Sequence, residues 1–221
     1  MTPPAHLTFV EELVLLGLDD RTGALLPMPV MGFNYALAGA LLADLALAGR
    51  IDTDLEQLTV IRDEPTGDSM LDAALDTIKA APGPLPVAHW LGVLSSWRPT
   101  LENEALARLV GHGILRREDK KILRVFGTRR YPTVNHQERT EVKTRLSALI
   151  LGDDIPDPRD AVLISLLTAC HLAQHIFTDP ACAARSTRLA NLARMDQVGR
   201  EVGAALDLLT RVLMSAHPMG M

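Results

Sequence analysis

The sequence predicts a mainly α protein folded as a single-domain helical bundle with one projecting β-hairpin. Leu and Ala, the strongest apolar helix formers, occupy 37 and 27 of the 221 positions. Aromatic residues are only 4% of the chain, too few for the Tyr, Phe and Trp that usually fill strand positions in a sandwich or barrel. A mass of 24.0 kDa suits one core. The Pro82–Pro86 stretch is a stiff break too short to separate units, so residues 1–221 read as one domain.

Cap chemistry sets the helix starts. Thr8-Phe9-Val10-Glu11 is a capping-box pattern opening a helix to about Leu18, closed by the turn Asp19 to Gly23. A second helix is expected over about 33–48, apolar on nearly all sides, with Gly49 at the left-handed position that ends it. Thr59-Val60-Ile61 reads as a short edge strand. Ser69-Met70-Leu71-Asp72 reads as another capping box, with helices to follow at about 87–96 and 100–111. Asn135 to Glu138 caps a helix to about Leu151. Asp157-Pro158 starts one expected to run to Phe177, and two more cover about 186–195 and 198–215.

Charge singles out one segment. Residues 116–130 hold Arg116, Arg117, Lys120, Lys121, Arg124, Arg129 and Arg130 against Glu118 and Asp119, a local +5. The whole chain carries −5, so the rest sums to −10. That balance excludes a protein that coats nucleic acid with its whole surface. Ile114-Leu115 and Ile122 to Phe126 flank the polar stretch Arg116 to Lys121, which reads as a β-hairpin over about 114–126.

Two cysteines, Cys170 and Cys182, give no disulfide framework and point to a reducing compartment. No secretory signal is visible, and the longest apolar runs fall short of the roughly 20 residues a spanning helix needs. A cytoplasmic chain that meets the inner membrane surface reversibly is the expectation.

LTFVEELVLLGLDDRTG near the start, ALAGALLADLALAGRI, EPTGDSMLDAAL, and ARLVGHGIL before the hairpin occur in that order. Together these segments resemble the Golgi phosphoprotein 3 family. The resemblance covers about Leu7 to Leu213. Its most specific pieces are PTGD-x-x-LD at Pro65–Asp72 and LAL-x-GRI at Leu45–Ile51. It implies a helical core with amphipathic helices around it and a hairpin that dips into a bilayer. The implied function is peripheral binding of phosphatidylinositol 4-phosphate, without enzymatic activity. Where lipid-binding members carry a Trp and several Arg, this sequence holds Pro29, Ala38, Pro99 and Glu102. Eukaryotic members have a basic N-terminal arm, and the resemblance here is to a prokaryote-type member lacking it.

The residues expected to touch an anionic lipid are Arg98, Arg108, Lys120, Lys121, Arg124, Arg129 and Arg130, with Phe126 as an apolar wedge. The partner is then an anionic phospholipid membrane, with pairing of hairpins into a homo-oligomer a further expectation. A different class also fits the pattern. A helix over 100–111 followed by a basic hairpin could be a winged helix on DNA, although Glu102 and Glu104 make it donor-poor. The third reading is an oligomerisation scaffold without lipid. His171 and His175, spaced i and i+4, could share a helix face, but no third ligand accompanies them, so neither metal nor cofactor is expected. No catalytic triad, dinucleotide fingerprint or phosphate loop is present in the sequence.

Overall fold

The computed structural model describes residues 6–20, 22–53, 57–122, 126–196 and 198–204. The first helix, α1 (Phe9–Leu16), is buried along its whole length, Glu11 and Glu12 included. Its capping box forms as the sequence predicts: Thr8 Oγ1 accepts from the Glu11 N–H, and Glu11 accepts from the Thr8 N–H. Helix α2 (Val30–Leu47) packs against α1 and carries Leu37, Leu41 and Leu45 into the core. Among the described residues it is the one helix long and apolar enough to cross a membrane, but 67% of it is buried inside the fold. A core helix passes the same compositional test.

The end of α2 uses the LAL-x-GRI residues. Gly49 takes φ +63, the Arg50 N–H reaches back to the Leu45 carbonyl at 2.9 Å, and the Gly49 N–H reaches Ala46. This double closure satisfies carbonyls that the last turn would otherwise orphan. The chain then forms β1 (Ile51–Thr53) and β2 (Leu58–Val60), an antiparallel pair with Ile51 opposite Val60. The sequence had shown only the second strand.

Helix α3 (Ser69–Lys79) is capped by Asp68 rather than by Ser69. Asp68 Oδ1 accepts from the Met70 and Leu71 N–H groups at 2.8 and 3.2 Å. Asp72 turns outward to hold Thr66, accepting from its N–H and its hydroxyl. After α4 (Val87–Ser95) comes α5 (Arg98–Gly111), which packs on α1. Two strands, β3 (Glu118–Ile122) and β4 (Phe126–Arg130), follow, then α6 (Gln137–Leu151).

Asp157 caps α7 (Pro158–Ala169), with Pro158 in the first turn as expected. The helix expected to reach Phe177 is broken, however. Cys170 ends α7, His171 takes φ +62, and a short α8 (Ala173–Ile176) resumes in a new direction. Helices α9 (Pro180–Ala184) and α10 (Ser186–Ala193) follow, α10 packing on α7, and residues 198–204 are helical. At Gly199 a Cβ would lie 1.9 Å from the Ser165 hydroxyl oxygen, so only glycine lets that last helix approach α7 so closely.

A buried ionic cluster joins α1, α2, α6 and α7. Arg159 donates to Glu12 at 2.7 Å and to the Leu7 carbonyl, and its guanidinium stacks 4.3 Å from the Phe9 ring centroid. Asp44 accepts from the Phe9 N–H at 2.9 Å and lies 3.9 Å from Arg159. Arg145 pairs with Asp160 at 2.7 Å and approaches Glu12 at 3.9 Å. Three carboxyls thus face two guanidiniums. Burial pushes both Glu12 and Asp44 up to about 7, with the arginines opposing the shift.

Two predictions follow from this packing. Carboxyls whose folded pKa lies above the unfolded value destabilise the fold as pH rises from about 4 to about 7, because only the unfolded chain ionises there. Lowering pH from 8 to 6 should therefore raise the melting temperature, and Glu12→Gln/Asp44→Asn should flatten that slope. Arg159→Met should cost about 3 kcal/mol at pH 8, the lower end for breaking a buried pair, and less at pH 6. Thermal melts across pH 6–8 check both statements. The second prediction concerns Gly23, which has φ +60 and whose Cβ would lie 2.4 Å from the Tyr131–Pro132 peptide. Gly23→Ala should cost at least about 1–3 kcal/mol of backbone strain. Hydrogen exchange should show the loss concentrated at residues 116–132, where the hairpin meets the 22–24 loop.

Candidate functional site

The hairpin is present, but its strands are shifted from the expected 114–126. The polar run Glu118–Ile122 is itself β3, paired antiparallel with β4 from Glu118 opposite Arg130 to Ile122 opposite Phe126. Ile114 and Leu115 instead belong to the core, at 4% and 2% exposure, and Leu115 bridges to Thr133. Apolar side chains next to a core are drawn into it, so the hairpin ladder starts beyond them. Lys120 and Lys121, expected in the turn, therefore lie on β3, and Arg129 and Arg130 lie on β4.

The backbone register arranges the charge. Glu118 is opposite Arg130 and Asp119 opposite Arg129, at the end of the ladder nearest the body. Further out, Lys120 is opposite Thr128 and Lys121 opposite Gly127, and Phe126 completes the ladder opposite Ile122. Arg124 lies outside the described residues. The base is fixed to the body: the Tyr131 N–H donates to the Gly23 carbonyl at 2.9 Å, Arg130 to the Thr22 carbonyl at 3.4 Å, and the Arg116 N–H to the Pro132 carbonyl at 3.0 Å. The Arg116 side chain pairs with Glu118 at 2.6 Å.

Arg108 is placed apart from the hairpin, in a clasp between α5 and the start of α3. Its guanidinium pairs with Asp68, donates to Ser69 Oγ at 2.9 Å and to Glu104 at 3.2 Å. Burial works against the Asp68 charge, yet the Arg108 and backbone N–H donors hold its carboxyl below the ordinary range. This clasp explains the PTGD piece: Arg108 is engaged by the aspartate that caps α3. With Arg108 committed and Glu102 and Glu104 beside it, α5 offers little to a DNA major groove.

Arg98 opens α5 and is also paired, with Glu102 at 2.9 Å, while its guanidinium lies 5.8 Å from the Phe33 ring centroid. The other positions named by the resemblance bring no cation here. Pro29 precedes the first turn of α2, Pro99 lies in the first turn of α5, and Ala38 is fully buried. Next to Pro29, Val30 and Met31 are 62% and 44% exposed, apolar atoms facing solvent that the sequence reading did not single out. Their signal was the run Pro27 to Met31, apolar residues that lead into the first turn of α2.

His171 and His175 do not share a helix face, because the chain turns at His171 between α7 and α8. Among the described residues no cluster of three or more His, Cys, Asp or Glu has the geometry for a metal ion. Cys170 is fully buried and its thiol is pushed up to about 12 by desolvation.

The arrangement of hairpin, α2 and α5 can be set against known proteins. The chain is 31% identical over 170 residues to vacuolar protein sorting-associated protein 74 of Eremothecium gossypii, a match that covers 67% of this chain and 50% of that protein. It thus spans about half the length of the curated relative it matches. The family model described as Golgi phosphoprotein 3 (GPP34) matches residues 9–209, from the first residue of α1 past the last described helix. A match this long takes in the α1 core, both structural motifs and the hairpin, and the chain belongs to the Golgi phosphoprotein 3 (GPP34) family.

Proposed function

We propose that this protein is a peripheral membrane protein that docks reversibly on anionic phospholipid at the cytoplasmic face, through its hairpin. The observation that carries this reading is the +5 segment around an antiparallel ladder, set on a chain that otherwise carries −10. Each Lys or Arg near an anionic bilayer contributes about 1 kcal/mol. Phe126, if its ring were fully buried at the interface, would add about 1.5–3 kcal/mol. These terms are sufficient for a reversible anchor without a deep pocket. Membership of the Golgi phosphoprotein 3 family supports the membrane assignment and supplies phosphatidylinositol 4-phosphate as the head group to test.

Head-group recognition is the finer question. A desolvated phosphate needs paired donors, best supplied by guanidinium forks. Pro29, Ala38, Pro99 and Glu102 supply none, and Arg98 is neutralised by Glu102. Binding by this chain should therefore follow surface charge rather than lipid identity.

The charge reading is checked by sedimentation with phosphatidylglycerol liposomes. Lys120, Lys121, Arg129 and Arg130 changed together to Glu should abolish binding, and wild-type binding should fall steeply with salt as screening tightens to about 8 Å at physiological ionic strength. Full binding by the quadruple variant would reject the hairpin as anchor. For the head group, liposomes matched in zeta potential but differing in lipid are the discriminating set. Equal binding across them is the expected result. A preference for phosphatidylinositol 4-phosphate that disappears in Arg98→Ala would instead locate a head-group site at the start of α5.

A further inference from the structure

Helices α6 to α10 surround a cleft of about 520 Å³, within the about 300–1,000 Å³ typical of small-molecule sites. Its floor is apolar and buried: Ile150, Phe177 and Cys182 are 0%, 8% and 4% exposed. Its rim is polar and exposed, formed by His171, Gln174, Thr178 and Ser186. Among the described residues no Lys, Arg, Asp or Glu lines it. The arginines of the neighbouring turn and helix are committed elsewhere. Arg185 donates to the Leu151 carbonyl at 2.7 Å, and Arg188 donates to the carbonyls of Leu149 and Asp154.

The backbone gives a second, independent sign. His171 is, among the described residues, the one non-glycine residue with positive φ. A side chain in that conformation costs about 1–2 kcal/mol, and such strain clusters where a chain serves a ligand. Here the bend interrupts an apolar run that would otherwise continue as helix. It places an imidazole on the rim and turns Phe177 onto the floor.

We propose that this cleft binds one single-chain amphiphile with an uncharged, hydrogen-bonding head. The alkyl chain lies on Ile150, Phe177 and Cys182, and the head meets His171, Gln174 and Ser186. A charged head would enter without a counter-ion and would be disfavoured by its lost hydration. The site is separate from the hairpin and its occupation does not depend on the membrane reading above.

Cys182 on the floor makes the test direct. The full chain is labelled with N-ethylmaleimide, and modification of each cysteine is followed by peptide mass spectrometry. Submicellar decyl maltoside should slow Cys182 labelling about tenfold at about ten times its Kd. Decyl sulfate, with the same chain length, should protect far less. Cys170 should remain unlabelled throughout, reporting that the fold is intact. Ala183→Trp, at an exposed position lining the cleft, should abolish protection while leaving liposome sedimentation unchanged. Ser186→Lys should reverse the head-group preference towards decyl sulfate, a gain that misfolding cannot imitate. Protection by phosphatidylcholine vesicles, whose lipid has two chains and a zwitterionic head, equal to that by decyl maltoside would overturn the single-chain, uncharged assignment. Absence of protection, equal protection in Ala183→Trp, or a wild-type Cys182 unreactive before any amphiphile is added would each overturn the proposal.

Discussion

The fold depends on satisfying the two ends of a helix that has no surface of its own. All eight residues of α1 are buried, so neither end can turn to water for its unpaired backbone groups. At the start, Thr8 and Glu11 close the capping box, Asp44 of α2 accepts the Phe9 N–H, and Arg159 of α7 holds the Leu7 carbonyl. At the finish, Arg139 of α6 donates to the carbonyls of Leu15 and Leu16. Partners from three other helices must therefore be in place together. The cost is a cluster of buried charge in which carboxyls outnumber guanidiniums, and the raised affinity of Glu12 and Asp44 for a proton offsets part of it.

The family's most specific sequence pieces have structural duties of the same kind. Gly49 ends α2 in a left-handed turn, and Arg50 donates to the carbonyls of Ala48 and Pro65, tying that turn to the next motif. There Asp68 caps α3 and receives Arg108, while Asp72 gathers in Thr66. Both motifs thus direct charged side chains at the frame itself. Family membership can therefore be read from residues that build the frame, which is no evidence by itself about a ligand.

What could be read from the sequence follows from how local each signal was. The capping box at Thr8 and the Asp157-Pro158 start are complete within four residues, and both helices begin where they indicate. The break at His171 has no local marker: the run from Ala161 to Phe177 contains neither Gly nor Pro, and tertiary packing overrides its helical tendency. The hairpin register was misplaced for a similar reason. Ile114 and Leu115 look like strand residues, but the core claims them, and the register is set by pairing beyond them. Arg108 reads as a free cation until Asp68, forty residues earlier, is brought beside it.

The register also resolves how an acidic protein can approach an acidic surface. Acidic and basic positions, Glu118 opposite Arg130 and Asp119 opposite Arg129, fall at the base of the ladder, where the hairpin joins a body of charge −10. Lys120 and Lys121 fall further out, opposite residues without charge, and the apolar Ile122–Phe126 pair ends the described ladder. Five residues of strand at about 3.3 Å each extend about 16 Å. That is about twice the screening length of about 8 Å at physiological ionic strength. A bilayer touching the outer end of the hairpin would be shielded from most of the body's repulsion while feeling the attraction of the outer cations in full. On the proposed membrane reading, segregating the charged positions along the ladder, rather than neutralising them residue by residue, would make a net negative chain compatible with an anionic membrane.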